Sequence, residues 1–381
     1  MTAAGLIFSN IHDISIPEMT AERTMASIPF GGRYRLVDFT LSNMVNSGID
    51  KVGIITHNNY RSLMDHIGNG KDWDLARRSG GIRILPPYVS SSDSPIGGKL
   101  YTNRLEAMLG AIDFINHCDE EVVVLSDCDD ICNIDLNAVL DYHEAKGADV
   151  TFVTKKMNLE GGKAGQYAII NADAEGNVTE IVDSSPMTKG EFNVCTNIVV
   201  INTGFLVSTL HTSVSYGYKD FYTQALAAAM ASSKFVAYDF DGYYAEIGSL
   251  PKYFAANMEI LRADVRNELF NTKDRPVYTK VRNTAPTKYA EGAVVKNSVI
   301  ADGCVIEGTV INSVLFRGVR VRKGTVVKNS VMMQDSCTGE NVQLNCVITD
   351  KNVTIRDDVN LSGHETQPFY VAKGKMILYN K

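Results

Sequence analysis

The stretch PFGGRYRLVDFTLSNMVNSGI at residues 29–49 decides how the first half of the chain folds. Its Pro-Phe-Gly-Gly start predicts a tight turn. From Leu36 to Val45 the apolar residues recur three and four positions apart, which predicts a buried helix. Gly48 is suited to the left-handed conformation that ends many helices. Arg33 and Arg35 precede the helix, either as ligands for a phosphate or carboxylate or as purely structural side chains.

Apolar runs and amphipathic segments alternate around this stretch. This alternation predicts a doubly wound, Rossmann-like α/β domain with a parallel or mixed sheet. Ligands of such sheets bind outside the carboxyl ends of the strands, where Asp127, Asp129 and Asp130 follow a buried strand. The predicted strands are 3–8, 51–56, 82–85, 122–125, 150–153, 198–201 and 235–240, with a hairpin at 167–171 and 178–182; the predicted helices are 36–45, 60–67, 105–115, 136–145, 221–230 and 251–261.

The sequence period changes after Pro286. Triplets of the type Asn-Ser-Val begin at residues 297, 312, 329 and 345, at intervals of 15, 17 and 16. Such a repeat, punctuated by glycines, predicts a parallel β-helix of about four coils, each with three short strands. A β-sandwich would need stricter alternation and more hairpin turns. We therefore predict an α/β domain at 1–270, a linker at 271–292 and a β-helix with a C-terminal tail at 293–381. Because exposed coil edges favour pairing, the β-helix is expected to help assemble an oligomer.

Composition narrows the class of protein. The chain has 381 residues, 45% hydrophobic and 21% charged, with a net charge of −7, which is typical of a soluble protein with two domains. The acidic balance argues against nucleic-acid binding, and no apolar run has the length of a membrane span. Seven scattered cysteines without metal-type spacing, and a start without a signal peptide, predict a cytoplasmic protein with reduced thiols.

These features together resemble bacterial glucose-1-phosphate adenylyltransferase (ADP-glucose pyrophosphorylase), in which an α/β nucleotidyltransferase domain precedes a left-handed β-helix. The resemblance covers nearly the whole chain. It implies a tetramer that needs Mg²⁺ and joins ATP and glucose 1-phosphate into ADP-glucose and pyrophosphate for glycogen synthesis. The segments that carry it are PFGGRYRLVDFTLSN at 29–43, NSGI at 46–49, HIGNGKDWD at 66–74, the aspartates at 127–130, the turn at 242–249, KYFAANMEIL at 252–261 and NSVLFRGVRVRKG at 312–324.

The phosphate-binding part of the family pattern is missing. Members carry a GGxGxRL loop after the first strand, whose glycines let backbone N–H groups approach phosphate. The same place here reads FSNIHDI at residues 8–14. In the following family motif, RAKPAVPFGG, Arg23 is retained as a candidate catalytic residue, but Met25 replaces the lysine.

The sugar-binding and metal-binding positions are partly retained. The resemblance assigns the metal ligands to Asp129 and Glu246, the latter in place of an aspartate. On the sugar side Tyr101 is kept, the family's GTAD motif reads Asn103-Arg104-Leu105-Glu106, and most of the remaining positions are substituted. The carried-over substrate-binding positions are Tyr101, Ala168 for a glycine, Ser184 and Ser185 for Glu-Lys, and Asn202 and Gly204 in the Ser-Met-Gly position.

This combination of intact scaffold and eroded site most resembles the regulatory-type GlgD subunit. It implies a weakly active or inactive partner that forms a heterotetramer with a catalytic adenylyltransferase subunit, with Mg²⁺ only if activity is retained. ATP, glucose 1-phosphate or a sugar-phosphate effector are the ligands it implies. The alternative is a self-sufficient sugar-1-phosphate nucleotidyltransferase with an atypical loop. A β-helix acyltransferase is disfavoured because no histidine lies between residues 294 and 360.

Overall fold

The first half of the chain is organised around one nine-stranded mixed sheet. The structure, a computed structural model of the protein, describes residues 1–87, 101–162 and 167–378. The strands of this half are β1 Ala3–Phe8, β2 Pro29–Phe30, β3 Tyr34–Arg35, β4 Lys51–Ile55, β5 Gly81–Leu85, β6 Val122–Asp127, β7 Asp130–Ile131, β8 Val150–Leu159, β9 Ala168–Ala172, β10 Val178–Asp183, β11 Gly190–Asn202, β12 Phe235–Asp239 and β13 Ala245–Glu246.

Helices cover both faces of this sheet. They are α1 Pro17–Thr20, α2 Leu36–Asn46, α3 Arg61–Ile67, α4 Arg104–Gly110, α5 Ile112–Asn116, α6 Leu136–Lys146, α7 Thr203–Tyr216, α8 Ala227–Ala229, α9 Leu250–Glu259 and α10 Ala263–Phe270. A π-helical segment, Phe221–Leu226, precedes α8. Helix α7 has no counterpart among the predicted helices. None of the helices in the described ranges is long and apolar enough to cross a bilayer.

The sheet is parallel at its centre and antiparallel on one side. Strand β1 pairs in parallel with β4 and β6, as the apolar runs predict. The long strand β11 runs antiparallel to β6, β8 and β9, and the predicted hairpin forms between β9 and β10. The expectation of a doubly wound α/β domain with a mixed sheet is confirmed. Because β11 runs opposite to β6, its last residue lies at the amino end of β6.

The opening stretch forms a small hairpin and then the buried helix α2. Gly31 and Gly32 turn the chain between β2 and β3 with φ of +59° and +85°. At the helix start the backbone N–H of Arg35 donates to Asp38 Oδ2 at 2.9 Å. The Arg35 guanidinium donates to the backbone oxygen of Ser62 at 2.6 Å, so it ties α3 to this hairpin.

The second half is a left-handed β-helix with three parallel sheets. Its strands are β14 Lys288–Tyr289, β15 Val294–Lys296, β16 Val299–Ile300, β17 Val305–Ile306, β18 Thr309–Ile311, β19 Val314–Leu315, β20 Arg320–Val321, β21 Val326–Lys328, β22 Val331–Met332, β23 Cys337–Thr338, β24 Gln343–Asn345, β25 Val347–Thr349, β26 Thr354–Ile355, β27 Asn360–Ser362, β28 Phe369–Val371 and β29 Met376–Ile377. These strands make five full coils plus one further strand, rather than about four. The first strand lies inside the range predicted as linker.

The repeated asparagines mark one corner of the coils. Asn297, Asn312 and Asn329 adopt φ of +41°, +46° and +45°, a conformation that asparagine tolerates better than most residues. Their side chains form a ladder, beginning with a 2.9 Å bond from Asn297 to Asn312. In the next coil this corner is taken by Cys346, with φ of +51°. The last predicted triplet is therefore displaced by one residue from the true repeat of 17.

The β-helix packs its outer face against the α/β half. One apolar cluster contains Phe39 and Phe254 from the α/β half together with Phe316 and Met333 from the β-helix, all of them buried. A separate cluster fills the inside of the coils. The two halves therefore share a core, although their sequence periods differ.

Candidate active site and interdomain cleft

Four acidic residues meet at the carboxyl end of the central strands. Asp127 ends β6, and Asp129 follows it in the turn to β7. Strand β13 pairs with β7 and places Glu246 opposite Asp130, while the N–H of Ile247 donates to the Asp129 carbonyl oxygen at 2.9 Å. The two predicted metal ligands, Asp129 and Glu246, are thus brought to neighbouring segments at the predicted edge.

Two cationic side chains from elsewhere in the chain contact Asp127. Arg104 forms an ion pair with Asp127 Oδ2, and His12 Nε2 lies 2.9 Å from the same oxygen. Burial would raise the pKa of Asp127, but Arg104 and His12 outweigh it, so this pKa is lowered. Burial would likewise lower the pKa of His12, but Asp129 and Asp127 raise it to about 10. His12 and Arg104 were not predicted as site residues.

The Arg104 side chain is fixed in this position by several neighbours. Its guanidinium donates to Asn197 Oδ1 at 3.2 Å. The guanidinium carbon lies 5.3 Å from the ring centre of Phe8 and 4.7 Å from that of Tyr222, within the range of cation–π attraction. Asn197 adopts φ of +59° where the pairing of β11 shifts register. The irregularity in β11 therefore positions Asn197 to accept the hydrogen bond from Arg104.

The other two aspartates of the cluster have raised pKa values. Burial raises the pKa of Asp129 to about 6 and that of Asp130 well above its usual value. The hydroxyl of Tyr244 donates to Asp130 Oδ1 at 2.5 Å. Among the described residues, one oxygen each of Asp127, Asp129 and Asp130 is buried without a hydrogen-bond partner.

Glu246 is engaged by a lysine of its own. The Lys252 ammonium group forms an ion pair with Glu246 Oε2, and the hydroxyl of Tyr167 donates to the same oxygen at 3.0 Å. Lys252 lies in the first turn of α9, after the N-cap Ser249. Both partners of Glu246, Tyr167 and Lys252, line a cleft that also includes Ser184 and Ser185.

The loop after β1 folds back on itself where the family has its glycine loop. The N–H of Met25 donates to Asp13 Oδ1 at 2.6 Å, and burial raises the pKa of Asp13 to about 7. Asn10 Oδ1 accepts a 2.8 Å bond from the hydroxyl of Tyr101. Met25 lies in the apolar core, so the side chain in the lysine position brings no positive charge to the site.

The predicted sugar-side residues divide into two groups. Ala168, Ser184 and Ser185 lie around β9 and the turn after β10, and Ser184 Oγ accepts from the N–H of Tyr167 at 3.1 Å. Asn202 and Gly204, the other positions carried over from the family, lie elsewhere in the α/β half. Asn202 pairs with Val122 at the amino end of β6, because β11 is antiparallel to β6.

Arg23, the candidate catalytic residue, joins the two halves of the chain. Its guanidinium donates to both carboxylate oxygens of Asp350 at 2.9 and 2.7 Å. The side chains of Arg23 and Asp350 are only 4% and 2% exposed. Asp350 also accepts from the hydroxyl of Tyr370 at 2.8 Å. Arg23 therefore anchors the β-helix in this structure and does not contact the carboxylate cluster.

A second polar cleft lies between the two halves. It is narrow and is lined by five cations, with His66 beside them. Burial, together with Arg35 and Arg23, lowers the pKa of Lys351 to about 7, and burial lowers the pKa of Arg35 to about 10. Such crowded cations form a favourable site for a multiply charged anion. The five are Arg33, Arg35, Arg282, Arg317 and Lys351.

Comparison with known proteins agrees with this architecture. Residues 17–263 match a model described as nucleotidyl transferase, and residues 283–373 match one described as GlmU-like, C-terminal hexapeptide. The chain is 34% identical over 342 residues to glucose-1-phosphate adenylyltransferase of Bacillus anthracis, which covers 89% of each chain. It is also 34% identical over 372 residues to the glycogen biosynthesis protein GlgD of Bacillus subtilis (strain 168), which covers 97% of this chain and 95% of that protein.

The chain therefore belongs to the nucleotidyl transferase family with a hexapeptide-repeat β-helix. Within it, the chain belongs to the group that contains glucose-1-phosphate adenylyltransferases and GlgD.

Proposed function

We propose that this chain is a regulatory subunit in glycogen biosynthesis, weakly active or inactive alone, which joins a catalytic glucose-1-phosphate adenylyltransferase in a cytoplasmic hetero-oligomer. The observation that carries this proposal is the occupation of the carboxylate cluster by the chain's own His12 and Arg104. The similarity to the glycogen biosynthesis protein GlgD over 97% of the chain supports a role in glycogen biosynthesis.

The chemistry of adenylyl transfer explains why this arrangement disfavours catalysis. A triphosphate needs backbone N–H groups and cations directed at its oxygens, which stabilise the charge that develops during transfer. Here the loop that follows β1 provides a carboxyl group, Asp13, which accepts a hydrogen bond from the backbone N–H of Met25. The Met25 side chain is buried in the core. The predicted Mg²⁺ ligands, Asp129 and Glu246, do not fit a shared ion, since Lys252 already pairs with Glu246.

The ends of the β-helix are suited to assembly with another subunit. Strands β14, β15 and β16 have parallel partners on one side only, and Tyr289 and Val294 are 54% and 40% exposed there. Unpaired strand edges of this kind form additional strand pairs readily. We expect the catalytic subunit to cover at least one end of the coil stack.

The cation-lined cleft between the halves supports binding of a sugar-phosphate effector. Its arginines present planar donors that match phosphate oxygens. A ligand bound there would contact both the hairpin that precedes α2 and the β-helix, so it could influence assembly as well as local structure.

The decisive experiment measures ADP-glucose formation from ATP and glucose 1-phosphate with Mg²⁺. The purified chain alone should show little or no turnover, and addition of the catalytic subunit from the same organism should give a complex more active than that subunit alone. Appreciable turnover by the chain alone would instead favour the alternative, a self-sufficient sugar-1-phosphate nucleotidyltransferase with an atypical phosphate loop.

Assembly is tested separately by size-exclusion chromatography with light scattering. The variant Tyr289→Asp should weaken the hetero-oligomer, because it charges the exposed end of the coil stack. Val214→Asp is the matched control, since Val214 is 51% exposed but lies on α7, away from the β-helix. Equal effects of the two substitutions would argue against assembly through this end.

A further inference from the structure

The carboxylate cluster contains side-chain cations in the positions where a divalent ion would contact it. We propose that Arg104 and Lys252 replace the metal ion of this site, so that the resting chain has no divalent cation bound at Asp129. The inference concerns the chain alone and holds whether or not a catalytic partner joins it.

Arg104 carries the first part of the argument. Its guanidinium pairs with Asp127 Oδ2 and is held over the rings of Phe8 and Tyr222. Only 10% of the side chain is exposed. A guanidinium stays protonated at any pH at which proteins fold, so this positive charge is permanent.

The spacing of the cluster makes this charge decisive for metal binding. The possible ligand atoms of His12, Asp127 and Asp129 lie within 4.8 Å of one another. An ion held between the two carboxylates would therefore lie beside the guanidinium on Asp127. Repulsion between cations at such distances is strong where water is excluded.

Lys252 excludes the other route to an ion. Magnesium prefers a nearly regular octahedron of oxygens, to which carboxylates contribute one or two ligands. Glu246 could be the second carboxylate for Asp129, but its Oε2 accepts from Lys252 and from Tyr167. Asp127, Asp129 and Asp130 each keep one buried oxygen without a hydrogen-bond partner, but Asp127 is paired with Arg104 and Asp130 with the Tyr244 hydroxyl. Asp129 is therefore the one aspartate of the three without a side-chain partner, which is too few protein ligands to hold the ion without a substrate.

The test is a titration of the full-length chain with Mn²⁺, in which the free ion is followed by its electron paramagnetic resonance signal. Mn²⁺ takes the same oxygen ligands as Mg²⁺ and reports binding without any turnover. The wild-type chain should show no saturable site in the millimolar range. The variant Arg104→Met/Lys252→Met, which approximately keeps the volume of both side chains, should gain one saturable site whose affinity for Mn²⁺ is at least about tenfold above the limit set by the wild-type titration.

Two further variants make the result specific. Adding Asp129→Asn to the double variant should abolish the gained site. Lys51→Met is the matched control, because it removes a buried lysine that pairs with Glu120 at 2.9 Å elsewhere in the fold, and it should gain no site. Circular dichroism establishes that each variant is folded.

The proposal is overturned by either of two results. One is a saturable submillimolar Mn²⁺ site in the wild-type chain that Asp129→Asn abolishes. This result does not depend on whether the Arg104→Met/Lys252→Met variant folds. The other is a folded double variant that binds Mn²⁺ no better than the Lys51→Met control.

Discussion

Replacing Arg23 with methionine should destabilise the contact between the two halves of the protein. In the wild type, Arg23 is hydrogen-bonded to both oxygens of Asp350, and both side chains are almost completely buried. The substitution keeps an apolar side chain of similar length in the core but leaves the Asp350 carboxylate without its cation. The predicted consequence is a loss of stability rather than a change confined to a catalytic step.

The size of the effect follows from the remaining partners of Asp350. Breaking a buried ion pair from one side costs about 3–5 kcal/mol. Asp350 keeps hydrogen bonds from the Tyr370 hydroxyl and from the Lys351 N–H, at 2.8 and 2.6 Å, so we expect a loss of about 3 kcal/mol. Arg23→Met/Asp350→Asn should recover most of it, since no charge remains buried. The two bonds reach different oxygens of Asp350, so the amide oxygen still accepts one of them and the amide NH2 group can donate to the Tyr370 hydroxyl oxygen.

Urea unfolding, followed by circular dichroism and by fluorescence, measures this loss. Trp73 is the single tryptophan and is buried in the shared core, so its emission reports on the α/β half. Lys373→Met is the control: it breaks an interdomain ion pair with Glu22 whose side chains are 40% and 62% exposed, and it should cost less than about 1 kcal/mol. The reasoning is refuted if Arg23→Met costs no more than Lys373→Met.

Three further results are expected from stability measurements. Gly308→Ala should lower the free energy of unfolding by about 1–3 kcal/mol, since a Cβ there would meet two backbone oxygens of the next coil, one of them at 2.7 Å; Gly204→Ala, where nothing lies within 4 Å, should be harmless in thermal melts. Below pH 7 the buried Lys351 is protonated in the folded protein, and the unfavourable burial of its charge lowers stability in full. As pH rises from about 7 to the unfolded pKa of 10.5, the folded protein loses this proton before the unfolded chain does, so wild-type stability should increase by up to about 1.4 kcal/mol per pH unit. Lys351→Met should remove this slope. Tyr101→Phe should cost about 1–3 kcal/mol by leaving Asn10 Oδ1 without its buried donor; an unchanged urea midpoint would count against this bond.

Local patterns predicted most of the fold because they report burial directly. The apolar run at 3–8 became β1 at the same residues, and the spacing of 36–45 became helix α2. Helix α7 was missed since it follows β11 without a break, and its residues Thr203–Tyr216 include many that also favour strands. The position predicted for the last repeat was wrong by one residue. The corner of that coil, which is marked by a positive φ, lies at Cys346 rather than at the asparagine before it.

The site was less predictable because it depends on contacts between distant segments. Asp129 could be located at the end of a predicted strand and Glu246 through the family resemblance, but the sequence does not say that Lys252 would pair with Glu246. Arg104 was noticed only as a substitution in the GTAD position. A buried acidic cluster requires compensating cations, and that requirement was the signal that could have pointed to Arg104.

The shared core between the α/β half and the β-helix has a consequence for how the protein opens. Phe316 and Met333 of the β-helix lie in the same apolar cluster as residues of α2 and α9. Unfolding of either half would therefore expose the apolar surface of the other half to water. Native-state hydrogen exchange should therefore find amides of β22 and α2 protected by one common opening event, a single cooperative foldon. Either half expressed alone would expose this apolar surface to water and should aggregate. The change of sequence period therefore does not mark a boundary at which the protein can be divided into two independently stable domains.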